Sequence, residues 1–257
     1  MKAVILAGGL GTRLSEETLI KPKPMVEIGM RPVLWHVMKI YSAYGINDFV
    51  ICCGYRGYLI KEYFSNYFLH RSDVTFDLSH NKMEVHKKDA EPWRITLVDT
   101  GAETMTGGRL KRVKEYVGGG TFCFTYGDGL SDVNVSKLID FHKKSGLTAT
   151  VTAARHQNRF GLLHLEGERV TKFAEKPIEE ANWMNSGFFV LEPAIFDVID
   201  DDRTVFEKEP IHRLVAKNQL AAYRHEGFFM GMDSMREKTV LEDLWNSGKA
   251  PWHVWKD

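Results

Sequence analysis

The chain has 257 residues, with 34 lysines and arginines against 34 aspartates and glutamates, which is enough for one large α/β domain (residues 1–257) with a continuous core. Zero net formal charge removes the long-range field that would draw in nucleic acid or an anionic membrane, and the apolar runs stay far below the ~18 residues of a membrane helix. No signal-peptide pattern opens the chain, and Cys52, Cys53 and Cys123 lie in apolar runs without metal-ligand spacing. The expected protein is therefore soluble and cytoplasmic, with buried reduced thiols, no nucleic-acid partner and no membrane.

The first 29 residues, MKAVILAGGLGTRLSEETLIKPKPMVEIG, carry the strongest signal. An apolar run over residues 3–7 predicts a buried strand, which breaks at Gly8, Gly9 and Gly11 and then delivers Thr12 and Arg13. Glycines let backbone N–H groups approach an anion closely. An arginine adds a planar fork matched to phosphate oxygens, and a lysine adds a point charge. Lys21 and Lys23 follow between prolines. Leu6, Ala7, Gly8, Gly9, Leu10, Gly11, Thr12, Arg13 and Lys23 thus form a candidate polyphosphate cradle. The dinucleotide fingerprint would need glycine where Leu14 stands, and a P-loop would need Gly-Lys-Ser/Thr where Gly11-Thr12-Arg13 stands.

Residues 31–44 have helical apolar spacing, with Pro32 suited to a first turn and Gly45 to a stop. A buried strand is expected over 48–54 and a helix over 57–67. This alternation predicts an α/β, Rossmann-like mixed sheet, mainly parallel and flanked by helices, whose ligands bind beyond the carboxyl ends of the strands. Short alternating runs between 73 and 100 predict a small added β element, of the kind that favours a homo-oligomer. Residues 99–111, DTGAETMTGGRLK, form a polar loop running into a helix over 108–116, where Arg109 stands among glycines and threonines without an apolar stripe to explain them; this reads as a nucleotide-base pocket, the alternative being a solvated loop capped by Thr106.

The run TFCFTYGDGLSD, residues 121–132, predicts a strand that ends at Tyr126-Gly127-Asp128-Gly129. A carboxylate between glycines at a strand end suits Mg²⁺, which makes Asp128 a metal-ligand candidate. Asp132 suits the N-cap of a helix over 133–144. A strand over 148–155 and a hairpin pairing 161–165 with 170–174 follow, the latter ending in Glu175-Lys176-Pro177. A strand over 184–192 carries Asn185, Ser186 and Gly187. Lys176 and these polar groups suit a sugar phosphate. Helical spacing returns over 193–199 and 206–217. A last strand over 219–232 ends at Asp233, before a helix over 234–246 and a tail whose Trp252 and Trp255 suit packing.

The motif G-G-x-G-T-R-L followed by K-P-K-P-M resembles the signature of sugar-nucleotide pyrophosphorylases, nucleotidyltransferases that join an NTP to a sugar 1-phosphate. The resemblance, which covers nearly the whole chain, implies catalytic roles for Arg13 and Lys23, with Lys21 as the alternative to Lys23. It implies nucleotide contacts at Thr104, Arg109 and Asp128, and sugar-phosphate contacts at Tyr126, Gly127, Glu175, Lys176 and Asn185. In many relatives a W-x-D-x-G-T segment supplies a second magnesium ligand. Here it reads Gly231-Met232-Asp233-Ser234-Met235, matching the aspartate and departing after it. The segment D-T-G-x-x-T-M-T-G-G-R-L-K is similar to that of the members acting on CTP and glucose 1-phosphate. This implies CDP-glucose as product, Mg²⁺ as cofactor and a place in the synthesis of bacterial O-antigen lipopolysaccharide. Uridylyl or thymidylyl transfer remains open, as does a non-catalytic binding module. A glycosyltransferase would show Asp-x-Asp where Asp128-Gly129-Leu130 stands.

Overall fold

The structure, a computed structural model, describes residues 1–86, 90–155, 162–166, 169–174 and 183–256, with backbone alone for 13, 15, 162–166 and 169–174. Eight strands form the central sheet: β1 (Lys2–Ala7), β2 (Asp48–Cys53), β3 (Arg94–Asp99), β4 (Phe122–Tyr126), β5 (Ala149–Arg155), β6 (Trp183–Asn185), β7 (Phe189–Leu191) and β8 (Leu220–His225). Their order runs β8, β5, then β6 and β7 on one flank of β5, then β4, β1, β2 and β3. The pairings β1–β2, β1–β4, β2–β3 and β5–β8 are parallel, while β5–β6, β5–β7 and β4–β7 are antiparallel. The expected mixed, mainly parallel sheet is present.

A strand buried on both faces must be apolar at every position, and β1 is. Ala3, Ile5 and Ala7 face one core with Val37, Ile40 and Leu138, while Val4 and Leu6 face another with Leu110, Phe196 and Leu214. The first face is covered by α1 (Val33–Ser42), α2 (Gly57–Ser65), α4 (Val135–Ser145) and α6 (Met235–Asn246), and the second by α3 (Thr106–Arg112) and α5 (Glu209–Ala216). All three cysteines are buried and unpaired, and burial pushes Cys53 up to about 11 and Cys123 up to about 12. Among the described helices none is long and apolar enough to cross a membrane.

Several expectations change in detail. The run at 94–99 joins the sheet as the parallel edge strand β3, so the added element shrinks to a hairpin pairing Val74–Asp77 with Lys82–Val85. The expected strand over 184–192 breaks into β6 and β7, because Gly187 and Phe188 both take positive φ, 75° and 47°. The expected last strand also splits: β8 stays in the sheet, and Phe229–Gly231 turns away to pair with Gly129–Ser131. Asp132 does not cap α4. Asn134 does, accepting from the Lys137 N–H, while Asp132 accepts from the Phe228 N–H at 2.7 Å and sits 2.9 Å from the His225 imidazole. Thr106 is not a cap either, since α3 begins after Met105. The hairpin over Leu162–Glu166 and Arg169–Ala174 forms as expected.

Candidate functional site

In a parallel sheet the carboxyl ends of neighbouring strands share one edge. Here Ala7 pairs with Cys53, Cys53 with Asp99, and Leu6 with Tyr126, so β1, β2, β3 and β4 deliver their exits side by side. Beyond them lies a cleft of about 450 Å³, lined by Gly8, Gly9, Gly11, Thr12, Lys23, Thr104, Arg109, Tyr126 and Asp128 among others. That volume suits a small-molecule ligand. Leu6 and Ala7 also reach the cleft, whereas Leu10 points to solvent and does not line it.

The glycines have distinct tasks. A Cβ on Gly8 would stand 2.2 Å from Nη1 of Arg109, and one on Gly54 would stand 2.4 Å from the same atom. The guanidinium is threaded between the two glycines. Gly11 has φ +66° and lies against Thr18 and the Lys23 stem. At Gly127 a Cβ would meet the Leu6 carbonyl oxygen at 2.8 Å, an oxygen that accepts from the Gly127 N–H. This close strand-end contact sets the position of Asp128, the next residue.

Asp128 and Asp233 are brought together by the two-stranded ribbon Gly129–Ser131 and Phe229–Gly231, whose pairing of Gly129 with Gly231 aligns the residues flanking it. The Met232 N–H donates to the Asp128 carbonyl at 2.9 Å. Between the two carboxylates sits Lys23, whose Nζ is 2.6 Å from Asp128 Oδ2 and 2.7 Å from Asp233 Oδ1. Lys23 emerges from a tight turn, Lys23–Met25, preceded by Pro22, and is 7% exposed. Burial works against its charge, but the two carboxylates outweigh it and hold its pKa above the ordinary lysine value. Lys21 lies elsewhere, 3.5 Å from Glu17. Asp233 does not cap α6, because Ser234 occupies that position.

Arg109 behaves differently from a base-reading side chain waiting in solvent. Its Nη1 donates to Thr100 Oγ1 at 2.8 Å, Gly101 O at 2.6 Å and Cys53 O at 3.3 Å, and its Nη2 to Ala102 O at 3.1 Å. Burial lowers its pKa. One edge of the side chain therefore ties the loop after β3 to the end of β2. Thr104, 8% exposed, stands on that loop and lines the cleft.

Glu207 is the residue that sequence reasoning missed. Its carboxylate accepts from Tyr126 Oη at 2.5 Å and from Thr106 Oγ1 at 2.7 Å, and it lines the cleft. Burial, reinforced by the Glu207 charge, pushes the Tyr126 hydroxyl far above its ordinary pKa. In sequence, Glu207 sits just ahead of a helix, where an acid needs no explanation beyond the helix dipole. Asn185 reaches within 3.5 Å of Tyr126 Oη, and its Oδ1 accepts from Gly187 N. The backbone of Arg13 lies in the turn Thr12–Leu14 beside the cleft, and its side chain is outside the described residues. Glu175 and Lys176 also lie outside them.

Two carboxylates converging on one point form an all-oxygen donor pair. Mg²⁺ is commonly held by one or two carboxylates with substrate phosphates and water completing its shell, so the pair fits a hard divalent cation. Among the described residues there is no group of three or more metal-ligating side chains.

The family model for nucleotidyl transferases matches residues 2–257. The chain is 58% identical over 257 residues to a glucose-1-phosphate cytidylyltransferase of Salmonella typhi, covering all of both chains, and equally so to one of Salmonella typhimurium. Among solved structures, an apo UDP-glucose pyrophosphorylase superposes with a TM-score of 0.70 at 17% identity, over 96% of this chain and 98% of that one, a likeness of fold.

Proposed function

This chain belongs to the nucleotidyl transferase family, and we propose that it transfers the cytidylyl group of CTP to α-D-glucose 1-phosphate, yielding CDP-glucose and pyrophosphate. The observation that carries this reading is the 58% identity, over the full length of both chains, to glucose-1-phosphate cytidylyltransferases. The cleft is consistent with it: glycine amides, a buried lysine and two carboxylates meet where phosphates would have to meet.

The bond that forms joins a phosphate oxygen of the sugar phosphate to the α-phosphorus of CTP. The bond that breaks links that phosphorus to the oxygen bridging to the β-phosphate, which departs in pyrophosphate. Two anions must approach. Two unit charges about 4 Å apart repel by roughly 1 kcal/mol in water and roughly 4 kcal/mol at an effective dielectric of 20, and each phosphate carries more than one. Positioning and charge neutralisation are therefore the chief tasks, with no side-chain nucleophile required.

On this reading the amides of residues 8–11 and Arg13 grip the triphosphate, and Lys23 neutralises the α-phosphate as it becomes five-coordinate. The loop after β3, with Thr104, meets the base, and Arg109 fixes that loop. Lys176 receives the sugar phosphate, while Tyr126 and Asn185 face the sugar. Nucleotidyltransferases of this family generally use a divalent metal. We assign Mg²⁺ here to Asp128 and Asp233, where it would supply positive charge to both phosphates. The setting we propose is the bacterial cytoplasm, where CTP and sugar phosphates are made, with the product entering O-antigen lipopolysaccharide synthesis. We propose a homo-oligomer through the hairpin, which exposes Phe76, Leu78 and Met83.

The test is pyrophosphate release over a grid of NTPs and sugar 1-phosphates. CTP with glucose 1-phosphate should give the highest kcat/KM. A higher value for UTP or dTTP would move the chain to a sister specificity, and no release with any pair would leave a binding module.

A further inference from the structure

We infer that Lys23 gates the cation site. In the nucleotide-free protein its ammonium holds the point on which Asp128 and Asp233 converge, and a divalent cation gains that point only after a triphosphate has drawn the ammonium away. The inference rests on reading the cleft as a nucleotidyl-transfer site.

Three observations carry it. First, Nζ lies 2.6 and 2.7 Å from one oxygen of each aspartate, within the range of charge-assisted hydrogen bonds, so the place between them is filled by the protein itself. Second, the lysine is confined. Its backbone is fixed in the turn Lys23–Met25, its neighbour Pro24 lies against Gly127, and the side chain is only 7% exposed. A cation arriving alone would push a buried ammonium against other buried groups. The cleft that Lys23 lines is also lined by Gly8, Gly9, Gly11 and Thr12, the residues read as the phosphate cradle. Third, among the described residues no third acidic, histidine or cysteine ligand joins the two carboxylates. That is a weak lure for a dication.

A triphosphate changes both terms. Its α-phosphate offers Lys23 a new anionic partner, and its own oxygens supply the ligands the protein lacks. Once the lysine has exchanged partners, its contacts with Asp128 Oδ2 and Asp233 Oδ1 no longer compete with the incoming cation. Lys23 then serves twice, as the counter-charge that closes the empty site and as the group that neutralises the α-phosphate. By linkage, cation and nucleotide must each tighten the other's binding through this exchange, by the same factor.

The test uses Mn²⁺ as the probe and the full-length nucleotide-free protein. Binding is read from the loss of the free Mn²⁺ electron paramagnetic resonance signal, and separately from the Mn²⁺-induced rise in Tm. Lys23→Met should acquire one Mn²⁺ site at least roughly tenfold tighter than any in the unmodified protein, and adding Asp128→Asn should abolish it. Tm should rise with Mn²⁺ in Lys23→Met and stay fixed in the unmodified protein. Lys23→Gln provides the same reading if methionine is not accommodated. The gate is overturned if the unmodified protein binds one Mn²⁺ at Asp128 as tightly as the lysine variants do, or if neither variant gains a site. CDP-glucose formation by the unmodified enzyme, measured in parallel, separates the two readings: an active but ungated enzyme refutes the gate alone.

Discussion

At the scale of single residues, the most informative contrast is between Lys23 and Arg109, two buried cations doing different work. Lys23 makes its contacts with carboxylates that can exchange partners, whereas Arg109 spends one edge on Cys53, Thr100, Gly101 and Ala102, which are scaffold. A lysine at 109 has one nitrogen and cannot reach acceptors spread over two loops. Arg109→Lys should therefore lose about 3 kcal/mol or more of stability, since hydrogen bonds to a charged group are worth about 1.5–3 kcal/mol each. It should also raise KM for CTP at least roughly tenfold while leaving KM for glucose 1-phosphate within about twofold, in line with a displaced base loop. Chemical denaturation and steady-state kinetics on both substrates check this; an unchanged KM for CTP would separate Arg109 from the nucleotide site. The sequence marked Arg109 by its neighbours Gly107 and Gly108, which are small because the 202–204 backbone passes over them, whereas the glycines that make room for the guanidinium are Gly8 and Gly54. Its many backbone partners were illegible, because they come from two other strand ends.

At the scale of elements, the segment ahead of α5 is pinned onto the start of α3. The Met105 and Gly107 N–H groups donate to the Asp202 and Thr204 carbonyls, Phe206 N donates to Thr106 Oγ1, and Arg112 grips Asp202. Side chains at 107 or 108 would strike that backbone, at 2.8 and 2.5 Å. Glu207 extends the attachment to Tyr126 at the end of β4, joining α3 to the strand that leads into Asp128. Removing Thr106 Oγ1 and the Glu207 charge together should cost less than the sum of the single changes. A cycle of Thr106→Val, Glu207→Gln and the double variant should give a coupling of about 0.5–3 kcal/mol in unfolding free energy; strict additivity would show that the two groups act apart. Local pattern made β1, β2, β4 and α1 readable, since each is an uninterrupted apolar or periodic run. It misread residues 184–192 and 219–232 as continuous, because the first breaks where Gly187 and Phe188 take positive φ and the second turns away before Phe229 to form the ribbon beside Asp128. It set the cap of α4 at Asp132 because an aspartate there looks like any other N-cap, while its true partners, His225 and Phe228, lie almost a hundred residues away.

At the scale of the whole molecule, the chain's end closes over its beginning through His36. Trp252, fully buried, donates from Nε1 to His36 Nδ1 at 3.3 Å, which leaves Nε2 to donate to the Ile28 carbonyl at 2.9 Å. The ring thus sits neutral, in one tautomer, with the Trp245 ring 4.6 Å from it edge to face. A second proton on Nδ1 would confront an indole donor in a buried site. Burial is the main reason the His36 pKa falls from 6.5 to about 4, with His253 and Arg31 adding to it. The sign follows directly. A histidine whose pKa is lower folded than unfolded stabilises the fold fully above about pH 6.5, and that contribution drains away as pH falls from there toward 4, where it is exhausted. The shift corresponds to about 3 kcal/mol at most, at about 1.36 kcal/mol per unit. His36→Gln keeps an acceptor for the indole and a donor for Ile28 but cannot titrate. The unmodified protein should therefore lose about 2–3 kcal/mol more than His36→Gln between pH 7 and pH 4.5 in urea unfolding, and the two should run parallel above pH 7. Parallel curves through the whole range would mean that the clasp between the C-terminal tail and α1 does not depend on a neutral imidazole.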